Sequence, residues 1–145
     1  MILSSSELEF EIENKINMNK LIIDATNEKI FLMIVINYDI YNITHENTKI
    51  NYEKLTPIII DFLYKHSLKL RDINQIYVNR GPGSFAGVRN SLSVVKAFNV
   101  AKNIDYYCYS LDDFKGEKDI TYENIPNLCN KYQIKKNLIN PNYIS

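Results

Sequence analysis

The chain has 145 residues, a length typical of one domain, and its 17 lysines and arginines balance its 17 aspartates and glutamates. This balance excludes the overall basic field that drives non-specific nucleic-acid binding, so any contact with nucleic acid would have to be local or made through a partner. The two cysteines cannot build a disulfide framework, no stretch is long and apolar enough to span a membrane, and the acidic first residues do not resemble a signal peptide. We therefore expect a cytoplasmic protein that makes no contact with a membrane.

Residues 1–19 are predicted to be an acidic N-terminal extension. Leu8, Phe10 and Ile12 alternate with glutamates, which is the periodicity of a strand with one acidic face. The segment could add an edge strand or form a flexible tail. We favour the tail, because Met18 could be the start of translation.

Residues 20–114 carry the periodicities of a folded lobe. The predicted elements, in chain order, are strands at 20–26, 29–37 and 38–44, a helix at 52–67, a strand at 75–79, a helix at 84–103 and a strand at 105–110. Asn51 or Glu53 lies near the start of the first helix, and Pro57 falls in its first turn, where a missing N–H costs little.

This order of elements predicts the fold class. Short polar links make the first three strands an antiparallel meander, whereas strands joined through helices pair in parallel. The order βββαβαβ therefore predicts an α/β fold with a mixed sheet and helices packed on it. Residues 115–145 are predicted to be a polar C-terminal tail with a short helix near 125–134, too polar to supply a second core.

The stretch NRGPGSFAGVR, residues 79–89, follows the fourth strand and opens the second helix. A phosphate-binding P-loop needs GxxxxGK[ST], but no lysine follows Gly87, and the dinucleotide pattern GxGxxG is one residue shorter than the spacing here. Pro82 also lacks an N–H donor. We favour a structural role, in which Gly81 and Gly83 permit a tight turn, Ser84 caps the helix and Gly87 allows close packing.

A weaker phosphate interpretation stays open beside it. Gly83 and Ser84 open a helix whose N-terminal dipole favours an anion, and Asp24, at the end of the first strand, could orient magnesium. On this alternative the chain would be a small nucleotide-binding protein or ATPase.

The second helix is apolar around most of its circumference. At 100° per residue two apolar stripes form, the first of Phe85, Val88, Leu92 and Val95 and the second of Val94, Ala97, Phe98 and Ala101. The sheet can cover only one stripe. The other must be covered by a neighbouring helix of this chain or by a partner protein.

The sequence offers little for catalysis. His45 and His66 have no metal-ligand spacing, and no Ser/His/Asp order or nucleophile elbow is present. We therefore predict no catalytic residue and no metal site, which also argues against a peptidase. The many tyrosines lack interleaved lysines and arginines, so they do not indicate a stacking platform for single-stranded nucleic acid.

The motif RGPGSFAGVR, a helix containing Val-Lys-Ala and the strand end Asp-Ala-Thr at 24–26 resemble the TsaB (YeaZ) family. That family belongs to the bacterial machinery that installs threonylcarbamoyladenosine at position 37 of tRNAs. The resemblance covers 20–114, with an echo at 141–145 of the family's P-x-Y-L/I-R ending, and most of the second lobe is missing between them. It implies the N-terminal lobe of an actin-like ATPase (ASKHA, RNase H-like) fold.

The resemblance also implies a non-catalytic partner subunit. The expected partners are a TsaD-like catalytic subunit in a heterodimer and a TsaE-like ATPase, and a homodimer of the chain alone stays open as an alternative. ATP and metal are expected on the partner, none on this chain, and tRNA is expected only through the complex. The implied motif-loop residues are Arg80, Gly81, Pro82, Gly83, Ser84, Phe85, Gly87 and Arg89, and the implied partner interface is Ser91, Val94, Val95, Phe98 and Ala101.

Three departures from the family pattern accompany this resemblance. Ala86 replaces the loop threonine, and Ala25-Thr26 replaces Thr-Ser after Asp24. Asn51 stands where TsaB proteins commonly have histidine, and the HxxxH metal pair of catalytic relatives is absent from this neighbourhood.

Overall fold

A computed structural model, which describes residue 2, residues 4–8 and residues 18–143, contains one five-stranded mixed sheet in the order β3-β2-β1-β4-β5. The strands are β1 (Asn19–Asp24), β2 (Lys29–Ile36), β3 (Asp39–Glu46), β4 (Gln75–Asn79) and β5 (Asp105–Tyr109). The helices are α1 (Lys49–Glu53), α2 (Leu55–Lys65), α3 (Phe85–Lys102) and α4 (Ile125–Lys131). Short 3-10 turns occupy Leu70–Asp72, Leu111–Asp113 and Tyr122–Asn124.

The pairing of the strands confirms the predicted mixed sheet. β1, β2 and β3 form an antiparallel meander, in which Ile22 lies opposite Met33 and Leu32 opposite Ile43. β1 pairs in parallel with β4, and β4 pairs in parallel with β5. The three parallel strands therefore place their carboxyl ends, at Asp24, Asn79 and Tyr109, along one edge of the fold.

The front face of the sheet carries the larger core. Side chains of β1, β2, β4 and β5 that point to this face pack under α2 and α3, as the period-two pattern of strands requires. Leu21, Ile23, Ile59, Val88 and Val95 in this core are completely buried. Helices α1 and α2 both contact α3, so α3 is held between the sheet and its neighbouring helices.

The back face carries a second core, which corrects the expectation that the segment after Phe114 is too polar to supply one. Ile125, Leu128 and Cys129 lie on one side of α4 and pack with Phe114 against Ile22, Met33, Tyr77 and Tyr109. A spacing of three to four residues is enough to give a short helix one apolar side, even when the surrounding composition is polar. The division of the chain into a lobe and a tail that replaces a second lobe stays a prediction.

The chain then crosses the outer edge of β5 and returns to the front face. Lys136 forms a β-bridge with Tyr107, and the Asn137 amide accepts the Tyr106 backbone N–H at 2.9 Å. Farther on, the Asn142 N–H donates to the Arg80 carbonyl at 2.7 Å, and the Tyr143 ring lies 4.7 Å from the Phe85 ring. We call residues 136–143 the terminal segment.

The helix boundaries follow local capping. Helix α3 matches its prediction, since the Ser84 hydroxyl accepts the Gly87 N–H and Asn103 ends the helix in the left-handed conformation. The helix predicted at 52–67 begins instead at Leu55, because Lys54 is not helical, and Thr48 caps the separate short helix α1 before it.

Part of the N-terminal prediction cannot be compared with the structure. Residues 5–8 form a helical turn, whereas Phe10 and Ile12 lie outside the described residues. None of the helices that the structure describes is long and apolar enough to cross a membrane.

Candidate functional site

Asp24 lies at the centre of a buried hydrogen-bond cluster at the carboxyl ends of the parallel strands. Its side chain is only 3% exposed. One carboxylate oxygen accepts the backbone N–H and the hydroxyl of Thr26, at 2.9 and 2.6 Å. The other accepts the Asn79 amide at 3.1 Å and the Tyr122 hydroxyl at 2.8 Å. Four donors satisfy the carboxylate, so burial of its charge is compensated within the chain.

Tyr122 is held in this cluster from two sides. Its ring stacks on Phe31, with ring centroids 4.0 Å apart, while its hydroxyl donates to Asp24. Burial, and secondarily the negative charge of Asp24, raise the pKa of Tyr122 well above its ordinary value. The phenol therefore stays protonated at neutral pH, which it must do to donate to a carboxylate.

A pocket of about 360 Å³ opens beside this cluster. Its lining includes Asp24, Asn79, Ser110, Asp112 and Tyr122. The charged side chains among the described residues that line it are the two aspartates, with no lysine or arginine. A phosphate entering the pocket would face two carboxylates, so the charge opposes an anion unless a cation accompanies it.

Most of the backbone N–H groups of the motif loop donate hydrogen bonds to other groups of this chain. The Gly81 N–H donates to the Asn79 side chain at 3.0 Å, and the Ser84 N–H donates to the Thr26 carbonyl at 2.9 Å. The Gly87 N–H donates to the Ser84 hydroxyl, as the predicted cap requires. These N–H groups are consequently unavailable to a phosphate in this conformation, which disfavours the phosphate interpretation of Gly83 and Ser84.

Arg80 connects the loop to the C-terminal half of the chain. Its guanidinium contacts the Asp113 carboxylate at 2.8 Å and donates to the Asn140 carbonyl at 3.1 Å. Its backbone N–H donates to the Tyr109 carbonyl at 2.7 Å. Pro82 and Arg89 are exposed. The Phe85 ring lies against the Tyr143 ring of the terminal segment.

The loop glycines are required by close backbone contacts. A Cβ on Gly83 would overlap Thr26, and a Cβ on Gly87 would overlap the Ala25 carbonyl oxygen. Gly81 adopts a φ of 102°, which other residues rarely adopt. The loop therefore packs α3 directly against the turn that follows β1, in agreement with the structural interpretation of the motif.

We expect the substitution Gly87→Ala to destabilise the protein by about 2–3 kcal/mol, because the new methyl group must push α3 away from β1. In an exposed helix the same change would stabilise by about 1 kcal/mol. Urea unfolding followed by circular dichroism measures the difference. Ser93→Ala, at an exposed position of the same helix, is the control and should change stability by less than about 0.5 kcal/mol. A Gly87→Ala protein as stable as this control would contradict the packing role.

Part of the predicted partner interface on helix α3 is covered by this chain itself. Ser91, Val95 and Phe98, three of the five residues predicted to face a partner, are buried in the front core with α2. The Ser91 hydroxyl donates to the Val88 carbonyl at 2.9 Å. Val94 is half-buried and Ala101 is exposed, so only these two of the five are accessible to a partner.

The rest of the second apolar stripe of α3 is open to solvent. Ala97, Val100 and Ala101 lie on its exposed side, and the neighbouring helix α2 exposes Ile60 and Tyr64. Val100 is 74% exposed and Tyr64 is 76% exposed. We call these five residues the outer helix face.

Both the sequence and the fold of this chain are similar to those of known proteins. A family model described as "TsaD: tRNA N6-adenosine threonylcarbamoyltransferase" matches residues 44–110, which contain α1, α2, β4 and α3. The protein named "tRNA threonylcarbamoyladenosine biosynthesis protein TsaB" from Buchnera aphidicola subsp. Baizongia pistaciae is 34% identical over 74 residues, covering 45% of this chain and 34% of that protein. The TsaB protein of Buchnera aphidicola subsp. Schizaphis graminum is 25% identical over 79 residues, covering 54% of this chain and 38% of that protein.

The fold resembles the same group of proteins as the sequence does. It superposes on YeaZ from Pseudomonas aeruginosa with a TM-score of 0.59 and 22% sequence identity, covering 64% of this chain and 44% of the other. This chain is similar to the TsaB (YeaZ) family over about half of its length. Its mixed sheet is accordingly that of the actin-like, RNase H-like fold.

The match has a limited extent. The chain spans about a third of the length of the curated TsaB relatives that it matches. Residues 44–110, which the family model matches, contain the three front-face helices and the motif loop.

Several residues in and beside the Asp24 cluster are not among the site residues predicted from the sequence. Tyr122 lies 98 residues from Asp24 in the chain, and no motif links the two. Asn79 could have been found, since it is a polar residue at the end of a buried strand, directly before the TsaB-like motif. Ser110, at the end of β5, is completely buried beside the same pocket.

Proposed function

We propose that the chain is a non-catalytic partner subunit of the machinery that makes threonylcarbamoyladenosine at position 37 of tRNA. In this role it binds and supports a TsaD-like catalytic subunit. The observation that carries the proposal is the outer helix face, which exposes Ile60, Tyr64, Val100 and two alanines on helices whose opposite sides are buried in the front core. The family names of the relatives supply the identity of the partner.

The chemistry of the outer helix face suits a helix of another protein. Ala97 and Ala101 lie one turn apart, so a second helix can approach α3 closely, and Val100 on the same helix and Tyr64 on α2 add exposed apolar area. Interface cores are depleted in charge and enriched in aromatic residues, and a few such side chains carry most of the binding energy. The front core holds both helices in place before a partner arrives, which reduces the entropy cost of association.

A supporting rather than catalytic role agrees with the state of Asp24. Its four hydrogen bonds leave it little capacity to act as a base or to ligate a metal without breaking the cluster. Among the described residues there is no group of three or more His, Cys, Asp or Glu side chains that could hold a metal ion. We expect ATP and metal to bind the TsaD-like subunit, and a TsaE-like ATPase to complete the assembly.

Co-expression with the cognate TsaD-like subunit tests the proposal. We expect a 1:1 heterodimer in gel filtration with light scattering, and a loss of threonylcarbamoyladenosine from total tRNA when the gene is deleted. Restoration of the modified nucleoside by a plasmid-borne copy is the control. Unchanged modification after deletion, or failure of the two proteins to associate, would overturn the proposal.

The second candidate function is nucleotide binding in the pocket beside Asp24. Its volume and its place at the carboxyl ends of parallel strands favour a small ligand there. Calorimetric titration with ATP and magnesium decides between the two candidates. Heat of binding that disappears in an Asp112→Asn variant would support this second function, whereas no binding would leave the subunit role.

A further inference from the structure

The contacts of the motif loop indicate a ligand other than a phosphate. The Arg80 backbone carbonyl accepts the Asn142 N–H at 2.7 Å, and the Arg80 guanidinium donates to the Asn140 carbonyl at 3.1 Å. Both contacts are made to main-chain atoms of the terminal segment. The loop thus holds a peptide by its backbone, which is how many proteins bind peptide ligands.

Two further features of the loop fit the terminal segment. Gly81 has a φ of 102°, and a Cβ at this position would overlap the Asn142 carbonyl oxygen. The Phe85 ring lies 4.7 Å from the Tyr143 ring. The missing side chain at Gly81 leaves room for the main chain of the segment, and Phe85 offers an apolar surface to one aromatic side chain. The loop is therefore shaped for an aromatic residue directly after the Asn142 contact.

Arg80 is held in position by groups outside the terminal segment. Its backbone N–H donates to the Tyr109 carbonyl at 2.7 Å, and its guanidinium contacts the Asp113 carboxylate at 2.8 Å. These two side chains are only 17% and 21% exposed, so their ion pair is less screened than a surface pair. Asp113 also accepts the Ser110 N–H at 2.8 Å. Because Arg80 is positioned in advance, less entropy is lost when a peptide binds.

The outer edge of β5 provides the second half of this site. The Asn137 N–H donates to the Tyr106 carbonyl at 2.8 Å, and the Asn137 amide oxygen accepts the Tyr106 N–H at 2.9 Å. The Asn137 amide also donates to the Asp105 carboxylate at 3.0 Å. Hydrogen bonds to the main chain of an edge strand supply affinity in peptide recognition. Contacts near both ends of the terminal segment thus hold it on the fold.

The terminal segment has little buried surface of its own. Every side chain from Lys136 to Tyr143 is exposed except Asn142, which is half-buried. Gln133 and Asn137, before and within the turn onto the front face, have φ values of 54° and 61°, a conformation that is unfavourable for residues other than glycine. Segments with few buried contacts detach at a small cost in free energy. Exchange of such a segment between identical copies restores the same contacts, so it also costs little.

We infer that the motif loop and the β5 edge form a peptide-binding site, which accepts the terminal segment of a second copy of this chain as well as its own. In the exchanged state each copy places residues 136–143 on the other. The inference uses neither the outer helix face nor a TsaD-like partner. It is therefore independent of the proposed subunit role and is tested on the chain alone.

Binding of a free peptide is the first test. Fluorescence anisotropy of a labelled peptide with the sequence KNLINPNY, residues 136–143, measures its affinity for the full chain. The variant Asn137→Ala/Tyr143→Ala weakens the chain's own segment. It should bind the peptide at least about tenfold more tightly than the parent, because its site is vacant for a larger fraction of the time.

Substitutions in the site identify where the peptide binds. Gly81→Ala, added to the double variant, should abolish the gain in affinity, because the new methyl group occupies the place of the peptide main chain. Gly116→Ala is the matched control, since Gly116 has a similar φ of 89° and the described residues leave space for its Cβ. Phe85→Ala, at an exposed ring, should weaken peptide binding about fivefold without affecting folding, as expected for one aromatic pair.

Exchange between copies is detected by crosslinking two different variants. A short bis-maleimide should join the Phe85→Cys chain to the Tyr143→Cys chain, since these positions meet only when the segment of one copy lies on the other. Tyr38→Cys in place of Phe85→Cys is the control, at an exposed residue before β3. Both native cysteines are buried, which raises the pKa of each thiol to about 12 and keeps it unreactive at neutral pH.

Three results would overturn the inference. The first is equal affinity of the parent and the Asn137→Ala/Tyr143→Ala variant for the peptide. The second is peptide binding that neither Gly81→Ala nor Phe85→Ala weakens relative to Gly116→Ala. The third is a yield of crosslinked dimer no higher than that of the Tyr38→Cys control.

Discussion

The double substitution Ala97→Lys/Val100→Lys should weaken association with the TsaD-like subunit by about 100-fold, a loss of about 3 kcal/mol. Both residues lie on the exposed side of α3, so the change places two cations in the centre of the proposed contact. A desolvated charge without a partner opposes binding strongly. Lysine near the C-terminal end of a helix is favourable for the helix itself, so the isolated variant should remain folded.

Titration of the TsaD-like subunit by surface plasmon resonance measures the effect. The matched control is Tyr38→Lys/Ile40→Lys, which adds the same charge at two exposed apolar residues in and before β3, away from α3. We expect the control to bind within about twofold of the parent. If both double variants bind equally well, the outer helix face is not the contact surface and the subunit must associate through another part of the chain.

Asp24→Ala should destabilise the protein by about 4 kcal/mol, a large fraction of the stability of a typical domain. The substitution removes the acceptor from Thr26, Asn79 and Tyr122 at once, and buried donors left without partners cost about 1–3 kcal/mol each. Some of this cost would be recovered where water enters the adjacent pocket. Urea unfolding at pH 7 gives the measurement.

Asp112→Ala is the appropriate comparison, because it removes an exposed carboxylate from the same pocket without breaking the cluster. Its effect should stay below about 0.5 kcal/mol. An Asp24→Ala protein more stable than the parent would contradict a stabilising role for Asp24. Residues kept for binding or catalysis often reduce stability, so such a gain would favour the nucleotide-binding alternative.

The front half of the fold follows from local patterns that tertiary structure does not override. β4 is observed over Gln75–Asn79 as predicted, because a short apolar run lies between polar turns. Helix α3 has strong local signals at both ends, a serine cap and an asparagine in the left-handed conformation. The start of α2 was harder to predict, because the break at Lys54 leaves the apolar spacing of 52–63 unchanged.

The second core and the sites depend on contacts between distant residues. The sequence of 120–134 alone does not indicate that Ile125, Leu128 and Cys129 pack against a sheet. Their packing partners belong to β1, β2 and β4, which are distant in the chain. Tyr122 reaches Asp24 only because that packing brings the segment back over the sheet. Ser91 and Phe98 illustrate the same limit, since the width of an apolar stripe does not tell how much of it a neighbouring helix covers.

The terminal segment also determines how this sheet can grow. Lys136 and Asn137 occupy the outer edge of β5 at Tyr106 and Tyr107, whereas the other edge strand, β3, has no neighbouring strand on its outer side among the described residues. A sheet with two open edges can add copies of itself without limit, as in a fibre. A sheet with one open edge can pair once, edge to edge, and is then closed. Edge-to-edge pairing of the sheets of two copies of this protein should therefore stop at a dimer. Release of the terminal segment from β5 would open the second edge and remove that limit.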